Sequence, residues 1–235
     1  MKQMPRIKMM GIGHGGNHML DYVMNQSIRN VEYITAADEE TLLQSGAERS
    51  IQLDAEVMKC FYMDGHLNVK KIKPWITMEL DKVLIGAEVL FIMAGMGGQV
   101  GSDIAPIVAQ RAKELGIVTM ALVTRPFSFE GKTRGEKADH GIEELQRYAD
   151  EILVVPNDVL VSFMDKKMEL KAGFQKINQF FYQKIHEKCH LLNAVGNPSL
   201  SRDEVRVILQ DQGESFEDFF LKKLTGMGRL LAGQT

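Results

Sequence analysis

Apolar residues along the chain alternate between two patterns. Short, nearly continuous runs read as strands buried on both faces: Arg6–Met10 closing on Gly11, Val31–Ala36, Glu88–Ala94 (EVLFIMA), Ile117–Thr124 and Glu151–Pro156 (EILVVP). Between them lie stretches with helical spacing. Asn17–Ile28 carries Met19, Leu20, Val23, Met24 and Ile28 on one side. Pro74 opens a helix to about Ile85, Asp103–Leu115 stops at Gly116, and Thr133–Ala149 is a charged amphipathic helix. This alternation predicts an α/β fold, a Rossmann-like doubly wound parallel sheet. After about residue 165 the pattern changes. Lys167–Leu192 reads as one long helix with Leu170, Phe174, Ile177, Phe181 and Ile185 on one face. Asn193–Ser201 is a loop, and Ser201 caps a helix to about Gln210. Glu214–Leu231 reads as a last, aromatic-rich helix that covers the domain's own core or docks on another subunit.

Composition narrows the function classes. Of 235 residues, 45% are hydrophobic and 25% charged, which excludes intrinsic disorder. A net charge of -3 argues against electrostatic nucleic-acid binding. Cys60 and Cys189 allow at most one disulfide, so a reducing cytoplasm is expected. Cys60, beside Phe61 and Tyr62, reads as a small buried hydrophobe, and Lys70–Lys73 as a solvated face. No run of 18 apolar residues and no signal-like leader occurs, so no integral membrane segment is expected.

The candidate chemistry lies in two glycine clusters, each between a strand and a helix. The first is Gly11-Ile-Gly13-His14-Gly15-Gly16-Asn17; the second runs Gly95-Met96-Gly97-Gly98 to Gly101-Ser102-Asp103. Glycine lets the backbone approach a ligand, and a helix N-terminus adds free N–H groups and a positive dipole end, together an anion site suited to phosphate. No Gly-Lys-Ser/Thr follows either cluster, so neither is a Walker loop. Gly11, Gly13 and Gly16 match G-x-G-x-x-G, with Asp38 about 20 residues on as a ribose ligand or an exposed helix-start acid. The spacing alone leaves a mononucleotide and a dinucleotide both open.

Further blocks carry a resemblance. Gly95-Met-Gly-Gly after EVLFIMA, Val123-Thr-Arg-Pro-Phe-Ser-Phe-Glu-Gly131, Val155-Pro-Asn-Asp158, GIEELQRYAD at 141–150 and IQL at 51–53 resemble the FtsZ/tubulin family, its FtsZ branch most of all, over about Arg6–Gly213. The resemblance implies a guanine-nucleotide-binding protein that uses GTP/GDP, with Mg2+ possible. It further implies self-association, or association with a related filament protein, in a cytoskeletal or cell-division role. Gly11, Gly13, His14, Gly15, Gly16 and Asn17 then match the first phosphate-side loop, and Asp38 the loop below ribose and phosphates. Gly95, Met96, Gly97 and Gly98 match the signature loop around the phosphates. Thr124, Arg125, Pro126, Glu130, Arg134 and Asn157 fall near sugar and phosphates, and Phe174 with Asn178 resembles the base-reading pair. The implied organisation is a nucleotide-binding α/β domain over 1–165 and a central helix with helical segment over 166–235, the family's second domain being absent.

The departures carry weight as well. The first loop is one residue short, with His14 where the family has glycine; protonated, His14 would contact a phosphate, otherwise solvent. Val100 removes a hydroxyl, and Asp103 would repel phosphate if it pointed inward. The family's catalytic acids, which position the attacking water on the neighbouring subunit's nucleotide, find only Asp203 or Glu204 as counterparts. Weak GTP hydrolysis is expected, or a non-hydrolysing nucleotide-binding regulator of filaments. A separate pattern, His186-Glu187-Lys-Cys189-His190, matches H-E-x-x-H and would make a zinc-dependent hydrolase. Its plain alternative is a partly exposed helix end.

Overall fold

The computed structural model describes residues 5–63, 66–163, 170–194, 200–210 and 213–219. In chain order the elements are β1 (Ile7–Ile12), α1 (Gly13–Met24), β2 (Val31–Ala37), α2 (Glu39–Gln44), β3 (Arg49–Gln52), α3 (Ala55–Lys59), β4 (Tyr62–Met63), β5 (His66–Leu67) and α4 (Val69–Leu84). There follow β6 (Val89–Gly95), α5 (Gln99–Glu114), β7 (Val118–Arg125), a 3-10 turn (Ser128–Glu130), α6 (Lys132–Gln146), β8 (Glu151–Pro156), α7 (Asp158–Phe163), α8 (Leu170–Ala194) and α9 (Arg202–Gln210). Six parallel strands form one sheet in the order β3-β2-β1-β6-β7-β8; β4 and β5 make a small antiparallel hairpin apart from it.

The strands are parallel because each connection crosses over through a helix, and the central ones are largely apolar because helices cover both faces. Alternation splits the inner strands between two cores. On one face Met10, Ile12, Leu90, Ile92 and Ala94 pack with Ile72, Ile76 and Leu80 of α4 and Ile104, Ala105 and Val108 of α5. On the other, Ile7, Met9, Phe91, Met93 and Met120 pack with Leu20 and Val23 of α1, Phe180, Phe181 and Ile185 of α8, and Leu209 of α9. Phe216 and Phe219 are buried against Phe180. The described start of the aromatic tail therefore covers this chain's own core; Phe220–Leu231 lies outside the described residues, as do Lys167–Glu169.

Several helix starts differ from those the periodicity predicts. α1 begins at Gly13 rather than Asn17, because Gly13 at φ +66 turns the chain from strand to helix with no loop between. α5 likewise starts four residues early, at Gln99. α4 starts at Val69, where the Asn68 side chain accepts from the Lys71 N–H at 3.1 Å; Pro74 therefore sits inside the helix. Cys60 is exposed, against the buried position expected of it. The Lys70–Lys73 face is solvated, with Ile72 alone of the four turned into the core.

Candidate functional site

The order of the sheet strands reverses between β1 and β6, and in such sheets ligands bind outside the carboxyl ends of the strands at that point. Both glycine clusters are there. Gly15 and Gly95 face each other so closely that a Cβ on Gly15 would stand 3.4 Å from the Gly95 Cα. A Cβ on Gly16 would lie 2.2 Å from the Met93 carbonyl oxygen, and one on Gly101 2.1 Å from that of Gly95. These glycines let α1 and α5 press their N-termini onto the two strand ends. Neither helix has a side-chain cap or an acid in its first turn. Their first-turn amides are thus directed outward at the rim, two positive dipole ends side by side.

The two loops differ in detail. Gly11 lies within β1, against Asn17, and serves packing. Gly97 takes φ +94 and donates its N–H to Ser102 Oγ at 2.8 Å, which closes the second loop. Gly98 precedes α5, and a Cβ there would meet nothing within 4 Å, so the space above it is open. Met96 is buried and its N–H donates to the Thr124 carbonyl at 2.8 Å; it shapes the loop from below.

Around this cradle the remaining candidates take varied positions. Asn17, only 1% exposed, donates through Nδ2 to the Gly13 carbonyl at 2.8 Å and the Ala36 carbonyl at 3.4 Å. Its Oδ1 and the Oδ1 of buried Asn157 have no hydrogen-bond partner among the described residues. Buried amide oxygens in that condition are costly, and they border the rim where a polar ligand would sit. Thr124 is buried at the end of β7 beside Gly95. Half-buried Phe174 meets Phe127 edge-on at 6.0 Å, and exposed Phe129 stacks on Phe127 at 4.7 Å. Asn178 stands half-buried one turn further along α8.

Several charged candidates are engaged with protein partners. Arg125 makes a two-pronged pair with Asp139, at 2.7 and 3.0 Å, which raises the guanidinium pKa and holds the carboxyl below its usual range. Glu130 accepts from the Phe127 N–H at 2.8 Å and pairs with Arg134 at 3.1 Å. Pro126 and the Arg134 stem pack where a Gly97 side chain would fall. Asp38 caps α2, accepting from the Thr41 N–H at 3.0 Å; that hydrogen bonding keeps its carboxyl below the ordinary range. His14 is exposed and lies against His18. Asp103 turns sideways, accepting from the Tyr62 hydroxyl and pairing with Lys137 at 2.9 Å. Burial, with Asp103 beside it, raises the Tyr62 phenol well above its ordinary pKa. The feared repulsion at the α5 N-terminus is thereby removed. Gly101 and Ser102 were not singled out as site residues in the sequence, yet one permits the close approach and the other latches the loop.

Asp203 and Glu204 lie at the opposite edge of the sheet. Arg206 of α9 bonds Asp150, the residue before β8, at 2.7 Å, and Arg202 packs on Gly116, just before β7. A six-residue strand spans about 20 Å, so these acids stand roughly that far from the cradle in the same chain. Asp203 is largely exposed and pairs with Arg206 at 3.0 Å. Glu204 forms a reciprocal cap with Ser201, accepting from its N–H and hydroxyl at 2.8 Å each, which lowers the carboxyl pKa.

The zinc-hydrolase reading at His186, Glu187 and His190 finds no support in this geometry. His186, Glu187 and His190 are exposed, but Glu187 accepts from Gln183 at 3.1 Å and Cys189 is turned into the core, where burial pushes its thiol to about 12. Among the described residues no group of three or more His, Cys, Asp or Glu side chains can hold a metal ion. No helix among them is long and apolar enough to cross a membrane.

Residues 6–165 match the family model of the Tubulin/FtsZ family, GTPase domain. Over 209 residues the chain is 31% identical to the cell division protein FtsZ of Buchnera aphidicola subsp. Baizongia pistaciae, covering 88% of this chain and 54% of that protein. An empty FtsZ dimer from M. jannaschii matches with a TM-score of 0.67 at 26% identity, over 81% of this chain and 56% of that one. CetZ2 from Haloferax volcanii, solved as a GTPγS-bound protofilament, shares the fold with a TM-score of 0.62 at 19% identity, over 81% and 59%. This chain spans a little over half the length of these relatives. On the family match, which extends over the sheet and both glycine loops, the chain belongs to the Tubulin/FtsZ family and carries its GTPase domain.

Proposed function

We propose that the chain binds a guanine nucleotide, GDP or GTP, in the cradle between α1 and α5 and associates head to tail with copies of itself or a related filament protein in a cytoskeletal or cell-division role. The observation that carries this reading is the pair of uncapped helix N-termini meeting at the strand-order reversal, held there by Gly16 and Gly101. The amides of His14, Gly15, Gln99 and Val100 suit phosphate oxygens. Thr124, Pro126, Asn157, Glu130 and Arg134 border the sugar side, Phe174 offers a stacking face, and Asn178 a hydrogen-bonding amide for the base. Asp103 is engaged with Lys137, so Mg2+ would be held through phosphate oxygens and water. Residues 1–165 form the binding part and 166–235 the helical part.

Hydrolysis would need an acid from a neighbouring chain, with charge stabilisation by the cradle amides. Glu204 is committed to its cap and Asp203 to Arg206, which favours slow cleavage and gives specific support to the second reading, a nucleotide-binding regulator of filaments without turnover. The test is the nucleotide content of freshly purified protein, followed by calorimetric titration with GTP and ATP. Co-purified GDP, or micromolar GTP binding with no ATP response, is expected. A protein that is empty and indifferent to both would overturn the assignment.

A further inference from the structure

His14 and His18 stand one helical turn apart on α1, both exposed, with their Nε2 atoms 3.0 Å from each other and the rings edge to face at 4.3 Å. Nothing in nucleotide binding requires two imidazoles so placed. With metal–nitrogen bonds of about 2.0–2.1 Å, two ligands of one tetrahedral ion have nitrogens about 3.3 Å apart, and two adjacent ligands of an octahedral ion about 3.0 Å apart. The observed separation falls within a few tenths of an ångström of both. Both histidines line a cleft of about 120 Å³, together with Asn17, Asp21, Asp38, Glu40, Thr41 and Gln44. Three carboxylates, Asp21, Asp38 and Glu40, therefore sit where they would attract a dication.

We propose that His14 and His18 form a two-histidine chelate for a borderline divalent ion of the Zn2+, Co2+ or Ni2+ kind, at the lip of the cleft between α1 and α2. Imidazole suits these ions, whereas Mg2+ prefers oxygen ligands. Among the described residues no third His, Cys, Asp or Glu completes a cage. Water fills the remaining positions, and Asp21 and Asp38 accept hydrogen bonds from it. Without the ion, one ring donates its N–H to the other, which keeps the two rings together.

The test uses the full chain freed of nucleotide, so that its failure leaves the guanine-nucleotide reading untouched. Zn2+ is titrated calorimetrically at neutral pH in millimolar Mg2+, and Co2+ is followed by its visible absorption. His14→Ala and His18→Ala are each compared with the wild type; both residues are exposed, and circular dichroism verifies the fold. His186→Ala is the control, because His186 and His190 form the chain's other pair at this spacing. The wild type is expected to take up Zn2+ at micromolar concentration despite Mg2+. Each of the two α1 variants is expected to bind at least about tenfold more weakly, the loss that even a partner outside the coordination sphere causes. The His186→Ala variant should match the wild type. No uptake by the wild type, wild-type binding by either α1 variant, or loss confined to His186→Ala would overturn the proposal.

Discussion

Gly16, Gly101 and Gly98 separate two uses of glycine that look alike in sequence. The first two are forced by close approach to carbonyl oxygens at 2.2 and 2.1 Å, whereas Gly98 borders open space in an ordinary backbone conformation. Gly16→Ala or Gly101→Ala should therefore destabilise by about 2 kcal/mol or more, because α1 or α5 must lift off its strand. Gly98→Ala should remain within about 0.5 kcal/mol of the wild type and lose GDP affinity instead, since its methyl enters the ligand's space. Urea unfolding and calorimetry measure the two effects; a severe loss of stability in Gly98→Ala would refute this division. The Arg125–Asp139 pair allows a pH test. The Asp139 carboxyl is held below its unfolded value, so its contribution is present above about pH 4 and disappears as pH falls through the lower folded value. Asp139→Asn should be less stable than the wild type at pH 6, and the gap should narrow as pH falls below about 4. A gap of constant size across that range would mean the pair contributes nothing through its charge. The types of these residues were legible in the sequence; their engagements were not, because Arg125 at the end of β7 and Asp103 on α5 meet Asp139 and Lys137 only once α6 is packed over them.

At the level of elements, five of the six sheet strands could be read from their apolar runs, since a strand covered on both faces has no polar side to interrupt it. β3 (RSIQ) escaped because it is an edge strand with a single buried residue, and the β4–β5 hairpin because two residues a side give no period. Helix starts were misplaced where glycine or proline normally marks a break: Gly13 and Gly98 lead straight into helices, and Asn68 caps α4 ahead of Pro74. α9 shows the converse, with Ser201 found where the sequence placed a cap. Its reciprocal bond to Glu204 yields a test. Ser201→Ala should cost about 1 kcal/mol and Glu204→Ala should also lower stability, with the double variant losing less than the sum, because each breaks the same cap. Chemical denaturation of the set decides it. Stability unchanged in Glu204→Ala would release that carboxylate from its structural role and strengthen its claim as a catalytic acid.

For the whole molecule, α8 is the connecting strut. Its 25 residues extend about 37 Å, from Phe174 beside the cradle toward α9 at the amino-terminal edge of the sheet. The cradle and Asp203 therefore lie at opposite edges, and one chain cannot bring its own acid to its own nucleotide. On the proposed head-to-tail reading, two copies stacked along the strand direction would, the lower chain offering the cradle and the upper one Asp203. If the chain cleaves GTP, the rate per chain should rise with protein concentration, and Asp203→Asn should lower it without lowering GDP affinity. Mixing supplies the sharper test. Asp203→Asn keeps a working cradle but lacks the acid; Gly98→Ala keeps the acid but has an obstructed cradle. Each alone should be nearly inactive, while a mixture should regain part of the wild-type rate, because one kind of interface pairs the intact cradle with the intact acid. A rate independent of concentration, or a mixture no faster than its components beside an active wild type, would rule out cleavage between subunits. A wild type that binds GTP and never cleaves it would leave the regulator reading in possession of the site, with Asp203 kept for its ion pair to Arg206.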